Sequence, residues 1–107
     1  MKIFVDIDNT ICHTEGTDYK NAKPYYEKIN IINDLFDQGH EITYWTARGS
    51  GSGIDHSFLT MFQLKEWGAK YHELRFKKPV FDIFIDDKTI NSIDKLGLWV
   101  QEQEKRS

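Results

Sequence analysis

The chain has 107 residues, the size of one domain, and its 39% hydrophobic and 14% aromatic content is enough for a single core. A formal net charge of −3 excludes a broad basic surface for nucleic acid and leaves room only for a local basic patch. One cysteine, Cys12, excludes an internal disulfide and fits a reducing, cytoplasmic setting. The apolar run ahead of Asp6 is too short for a signal peptide or a membrane span, so a soluble protein with no membrane partner is expected.

In chain order, Ile3-Phe4-Val5-Asp6-Ile7 is a continuous apolar run ending in acids, the pattern of a strand buried on both faces of a parallel sheet. Residues 13–23 are polar. Pro24 suits the first turn of a helix that carries Tyr25, Ile29, Ile32 and Phe36 at helical spacing and stops at Gly39. Residues 41–46 are β-branched and aromatic and predict a second strand. Arg48 opens a Gly/Ser loop that runs to Gly53, and a second helix is expected over 55–67 with Gly68 as its terminator. A short third strand is expected over 71–74 and a fourth over 80–85, followed by a short helix over 89–95. Leu98-Trp99-Val100 reads as a last strand or a contact surface, and residues 101–107 as a frayed tail. Strands and helices alternate, which predicts an α/β domain with a mostly parallel central sheet spanning 1–107.

Ligands of such sheets bind beyond the carboxyl ends of the strands. Asp6 and Asp8 fall at the end of the first strand, Thr46 at the end of the second, and Asp86 and Asp87 at the end of the fourth. Two carboxylates at a strand end can divide the work of nucleophile and acid–base group if a cation restrains their repulsion. Three or four carboxyls around one point call for a hard divalent cation, and Mg²⁺ fits because it takes one or two carboxylates and keeps several waters. Asp87 also reads as an N-cap of the following helix. Thr46 offers a hydroxyl, and Lys77 or Lys78, ahead of Pro79, offers a point charge on a stiffened loop. Both are suited to holding phosphoryl oxygens.

In this order, Asp6-x-Asp8-x-Thr10, Thr46, Lys78 and Asp86-Asp87 resemble the haloacid-dehalogenase-like superfamily of phosphotransferases, over residues 3–95. Residues 42–49 and 78–88 are similar to small bacterial members linked to capsule or surface-polysaccharide synthesis. The resemblance implies a three-layer, Rossmann-like fold and a Mg²⁺-dependent phosphatase. In it, Asp6 is the nucleophile that forms an aspartyl-phosphate, and Asp8 protonates the leaving oxygen and then activates water. Thr46 and Lys78, rather than Lys77, hold the phosphoryl group. Asp6, the backbone carbonyl of Asp8, and Asp86 bind Mg²⁺, with Asp87 close by or acting through water. Asn9, where many relatives have Gly, keeps the left-handed turn, and Asn9, Thr10 and Arg48 lie nearest the substrate.

Residues 11–23 and 47–77 leave no room for a cap domain, so the site is expected to be open, taking a bulky substrate or being covered by a second subunit of a homo-oligomer. Arg48, His56 and the Gly/Ser loop either contact the leaving group or are solvated surface, and His13, Glu15 and Asp18 read as solvated surface. Cys12 reads as a small buried residue. The expected substrate is a small phosphorylated metabolite such as a sugar phosphate. A macromolecular phosphate (a nucleic-acid 3′-phosphate or a phosphoprotein), a non-catalytic phosphate- or metal-binding module, and transfer to an acceptor other than water stand as alternatives.

Overall fold

A computed structural model describes residues 1–106, the side chain of Arg106 excepted. Strand β1 (Lys2–Val5) leads through a short antiparallel pair, β2 (Cys12–His13) and β3 (Lys23–Pro24), into helix α1 (Tyr26–Asp37). Then come β4 (Glu41–Trp45), α2 (Ser57–Glu66), β5 (Glu73–Arg75) and α3 (Ile93–Arg106). The main sheet is three-stranded and parallel, in the order β1-β4-β5, with Ile3 beside Ile42, Val5 beside Tyr44, and Tyr44 beside Leu74. The protein is therefore an α/β fold.

One face of this sheet carries the core. Ile3, Val5, Ile42 and Tyr44 pack in one cluster with Ile29, Ile32 and Leu35 of α1, and with Leu64 of α2 and the adjoining Trp67. Both crossovers, β1–α1–β4 and β4–α2–β5, step the same way across the sheet. Right-handed connections then place both helices on the same side. The other face keeps Phe4 half exposed against Trp45, with the Arg75 guanidinium over the Phe4 ring. The apolar run in β1 is thus buried on one face only, because no described helix lies over Phe4 to complete the second.

Gly39 and Gly68 end α1 and α2 in left-handed conformations (φ 98° and 73°), as expected from their positions after the last apolar repeats. Pro24, expected in the first turn of the helix, sits in β3 opposite Cys12 and α1 starts only at Tyr26, because residues 12–24 return on themselves as a small hairpin instead of a free loop. The third strand lies slightly later than expected, at Glu73–Arg75.

The C-terminal third differs most. Residues 80–85, expected as a fourth strand, join neither described sheet: the chain bends at Asp82, the Phe81 and Phe84 rings meet at 5.3 Å, and Val80, Ile83 and Ile85 are 75%, 79% and 91% exposed. The helix expected over 89–95 begins at Ile93 and continues through Leu98-Trp99-Val100 to Arg106, absorbing the expected last strand and the tail as far as Arg106, with Ser107 outside the described residues. It packs on α1 through Ile93 and Val100, with a Lys28–Asp94 ion pair at its start and Gly97 against Ile31. No described helix is long and apolar enough to cross a membrane.

Candidate functional site

Beyond β1 the chain folds into a tight turn. Thr10 and Ile11 donate their N–H groups to Ile7 O at 3.1 and 3.0 Å, and Asn9 N–H reaches Cys12 O at 2.8 Å. Asn9 is left-handed (φ 60°), as anticipated from its sequence, and its Oδ1 accepts the Thr14 N–H at 3.1 Å, so the side chain holds the turn as well as tolerating it. The turn presents Asp6 and Asp8 in different surroundings.

Asp6 is half-buried, and Ile7 N–H donates to its Oδ1 at 2.8 Å. Its Oδ2 lies 3.6 Å from Lys78 Nζ. Burial raises the carboxyl above its usual range, the Lys78 charge and the Ile7 N–H pull it back, and the neighbouring Asp8 pushes it up again. Lys78 N–H donates to Thr46 O at 3.1 Å, so strand β4 itself aims this lysine. Lys77, the competing residue, is exposed and left-handed (φ 64°).

Asp8 is held by both oxygens. Arg48 donates from Nε to Oδ2 at 2.9 Å and from Nη2 to Oδ1 at 2.8 Å, and Thr14 Oγ1 donates to Oδ1 at 2.6 Å. The remaining arginine nitrogen, Nη1, donates to Gln63 Oε1 at 2.6 Å and Thr60 Oγ1 at 3.1 Å, while the guanidinium lies 4.8 Å over the Tyr19 ring. The Arg48 side chain is fully enclosed. Expected beside the substrate, it instead faces inward and fixes Asp8, because the acid, the amide and the hydroxyl together satisfy its planar fork. Thr46 is buried at the end of β4, and its Oγ1 accepts the Arg48 N–H at 3.1 Å.

Thr14, Tyr19, Thr60 and Gln63 escaped the sequence reading. The one available signal is the pair Thr60 and Gln63, three apart and flanking apolar residues. The apolar pattern of α2 misleads here, since Phe58 and Phe62 face solvent while Thr60, Gln63 and Leu64 face inward. His56 packs edge-on against Tyr19 at 4.9 Å, and Cys12 is buried beneath the turn with its thiol 3.7 Å from Asp8 Oδ1. His13 pairs with Glu15 on the surface and Asp18 with Asn21.

An open groove of about 540 Å³ runs between the glycine-rich loop, at Gly49–Gly53, and residues 77–80. Gly49 is left-handed (φ 84°), and a Cβ there would lie 2.2 Å from Ile54 O, so the bend of this loop needs glycine. Ser50 Oγ donates to Lys78 O at 2.9 Å and ties the two walls together.

Asp86 and Asp87 stand apart from this assembly. Both are exposed. The interaction of the two neighbouring carboxyls pulls Asp86 below and pushes Asp87 above the usual carboxylate range, and Asp86 Oδ1 accepts the Lys88 N–H at 3.0 Å. Among the described residues no three His, Cys, Asp or Glu side chains are grouped to hold a metal ion. The donor set expected for Mg²⁺ is therefore split within a single chain: Asp6 and the Asp8 carbonyl at the end of β1, Asp86 and Asp87 on the unpaired segment.

No family model matches this chain, and no curated protein does. Among solved structures, the chain is similar to a protein from Vibrio cholerae, with a TM-score of 0.81 and 24% identity over 99% of this chain and 98% of that one. At that identity the likeness extends to the α/β fold and no further.

Proposed function

We propose that this chain is a phosphoric monoester hydrolase of the haloacid-dehalogenase-like kind, acting on a small phosphorylated metabolite such as a sugar phosphate. The observation that carries the reading is the pairing of Asp6 with Lys78 at 3.6 Å, at the strand ends and beside the open groove. Asp6 Oδ2 is the oxygen not held by the backbone, so it is the one to attack phosphorus. The P–O bond to the leaving group breaks as the aspartyl-phosphate forms, and water then cleaves the acyl phosphate to regenerate Asp6. Lys78 supplies positive charge where the phosphoryl oxygens gather negative charge, before any reorganisation is needed.

Asp8 supplies the proton to the leaving oxygen and takes one from water in the second step. Four donors occupy its carboxylate, two from Arg48 with the Thr14 hydroxyl and the Cys12 thiol, so this role requires Asp8 to turn one oxygen out of the Arg48 fork while the other stays held. Mg²⁺ belongs to this reading as the charge that relieves repulsion between carboxylates and phosphate. The carboxylates that would hold it, Asp6, Asp86 and Asp87, are not grouped among the described residues of one chain. A cytoplasmic location and a three-layer arrangement of the sheet belong to the same reading.

The Arg48 clamp favours a second reading, a module that binds phosphate without turning it over, since a fully engaged Asp8 has no free oxygen for acid catalysis. One experiment separates the two. Phosphate release from an aryl phosphate and a panel of sugar phosphates is measured with Mg²⁺ and with EDTA, with Asp6→Asn alongside. Magnesium-dependent release that disappears in the variant supports the hydrolase. Binding of orthophosphate that depends on Lys78, with no release from any ester, supports the module.

A further inference from the structure

We propose that two copies of this chain exchange residues 80–85, each segment docking in parallel on the free edge of the other copy's β1 and carrying Asp86 and Asp87 to the partner's Asp6. The exchange stands on the geometry alone; the use of the delivered carboxylates rests on the phosphatase reading.

Each copy offers both halves of such a contact. β1 is an edge strand paired on one side only, and the sheet face carrying Phe4 and Trp45 has no helix over it. An open strand edge is a template for another chain. Residues 80–85 are apolar and join neither described sheet, with Val80, Phe81, Ile83, Phe84 and Ile85 all exposed; the bend at Asp82 and the Phe81–Phe84 ring contact open when the segment pairs.

The register explains the sequence of the segment. A parallel strand that sets Asp86 beside Asp6 also sets Ile85 beside Val5, Phe84 beside Phe4, Ile83 beside Ile3 and Asp82 beside Lys2. Paired residues point to the same face of a sheet. Ile83 and Ile85 then extend the buried row of Ile3 and Val5, and Phe84 joins Phe4 on the bare face. Asp82, the one polar residue of the run, meets the exposed Lys2 with opposite charge. A shift by one residue would put Phe84 and Asp82 on the core face.

Size and strain favour a second copy as the occupant. At about 150–250 Å² for a large apolar side chain, the exposed part of the segment offers on the order of 500 Å². Counted on both copies, with the half-exposed Phe4 of each receiving edge added, this comes to roughly 1,200 Å², the lower end for a stable dimer interface. The chain is extended to 44 Å along its longest axis, and its 14.0 Å radius of gyration exceeds the roughly 13 Å of a compact chain this long. The arm is fixed outward at both ends: Lys78 is bonded to Thr46 and paired with Asp6, and α3 is packed on α1. Its hinge holds Lys77 in a left-handed conformation just before Pro79, and short strained hinges favour exchange over closure.

Two arms of one experiment decide this. A Phe4→Cys chain and a Phe84→Cys chain are unfolded together, refolded and oxidised, with Lys2→Cys and Asp82→Cys as a second pair in case the first fails to fold. A disulfide between the two different chains, located by peptide mass, and a dimer by light scattering are the expected results. A monomer whose double variant links only within itself, or an unlinked mixture for both pairs, overturns the exchange. The second arm refolds Asp6→Asn with Asp86→Asn. Random pairing restores one intact site in half of the dimers, so about a quarter of wild-type phosphate release returns. No recovery, with an active wild type and a confirmed disulfide, overturns the shared site. An inactive wild type with a confirmed disulfide overturns the phosphatase reading while the exchange stands.

Discussion

Arg48 holds Asp8 by both carboxylate oxygens, 2.9 Å from Nε to Oδ2 and 2.8 Å from Nη2 to Oδ1, with the arginine side chain wholly out of solvent. The pair joins the turn after β1 to the loop after β4, and Nη1 extends the connection to Thr60 and Gln63 on α2. Truncation would leave a carboxylate, an amide and a hydroxyl without their shared donor. Arg48→Ala is expected to lower stability by about 3–5 kcal/mol in urea unfolding, the range for breaking a buried ion pair on one side. Arg48→Lys keeps the charge, loses the fork, and falls between the two. A loss below about 1 kcal/mol for the alanine variant would mean that Asp8 does not depend on this arginine.

Thr14 donates the shortest bond to Asp8, 2.6 Å to Oδ1, from a buried position. Thr14→Val keeps the shape and removes the hydroxyl. The expected cost is about 1.5–3 kcal/mol, the range for a hydrogen bond to a charged group, read as a lower urea midpoint with an unchanged slope. If Asp8 serves as acid and base, the same variant loosens it, so phosphate release changes while phosphate binding does not.

Asp6 carries a carboxyl raised by burial, so its charged form is the less favoured one in the folded state. The stability this group contributes is fully present below the unfolded pKa of about 3.9 and is lost as pH rises through the higher folded value. Asp6→Asn mimics the neutral form. In the presence of a chelator the variant is expected to melt higher than wild type at pH 7, with the gap closing as the pH falls toward about 4. An equal or lower melting temperature at pH 7 would show that Lys78 outweighs the burial.

Gly49→Ala and Gly51→Ala make a matched pair in one loop. At Gly49 (φ 84°) an added Cβ lies 2.2 Å from Ile54 O, whereas at Gly51 it meets nothing within 4 Å. The first is expected to cost about 1–3 kcal/mol and to disturb the groove wall; the second stays within about 0.5 kcal/mol of wild type. Thermal unfolding of both variants checks the contrast, and equal midpoints would show that the bend at Gly49 relaxes freely.

The features that local rules govern were legible in the sequence. Gly39 and Gly68 mark the helix ends, Asn9 takes the left-handed turn, and the β-branched, aromatic run around Ile42 and Tyr44 becomes the middle strand. What failed depends on partners. Residues 80–85 have the composition of a strand, yet an apolar run encodes the capacity to pair and not the edge it pairs with. Phe4 looked like a core residue because nothing local says whether a helix covers its face. Arg48 looked like a substrate contact or a solvated residue because it opens a glycine loop, while its partners Asp8, Thr60 and Gln63 lie far along the chain on other elements. Pro24 suited a helix start equally well, until the return of the chain at Cys12 drew it into a hairpin.

Because Lys78 is oriented through Thr46 and Asp6, its placement has a consequence for the newborn chain. Asp6 is synthesised before its counter-charge, which follows about 4–14 s later at ordinary elongation rates. Until then β1 and β4 can pair and α1 can cover them, but the two acids at the end of β1 repel one another without relief from the lysine. The step that poises the turn is therefore electrostatic: the emergence of one cation converts a tolerated acidic turn into a poised one, and no truncated product that stops short of it can acquire the chemistry early.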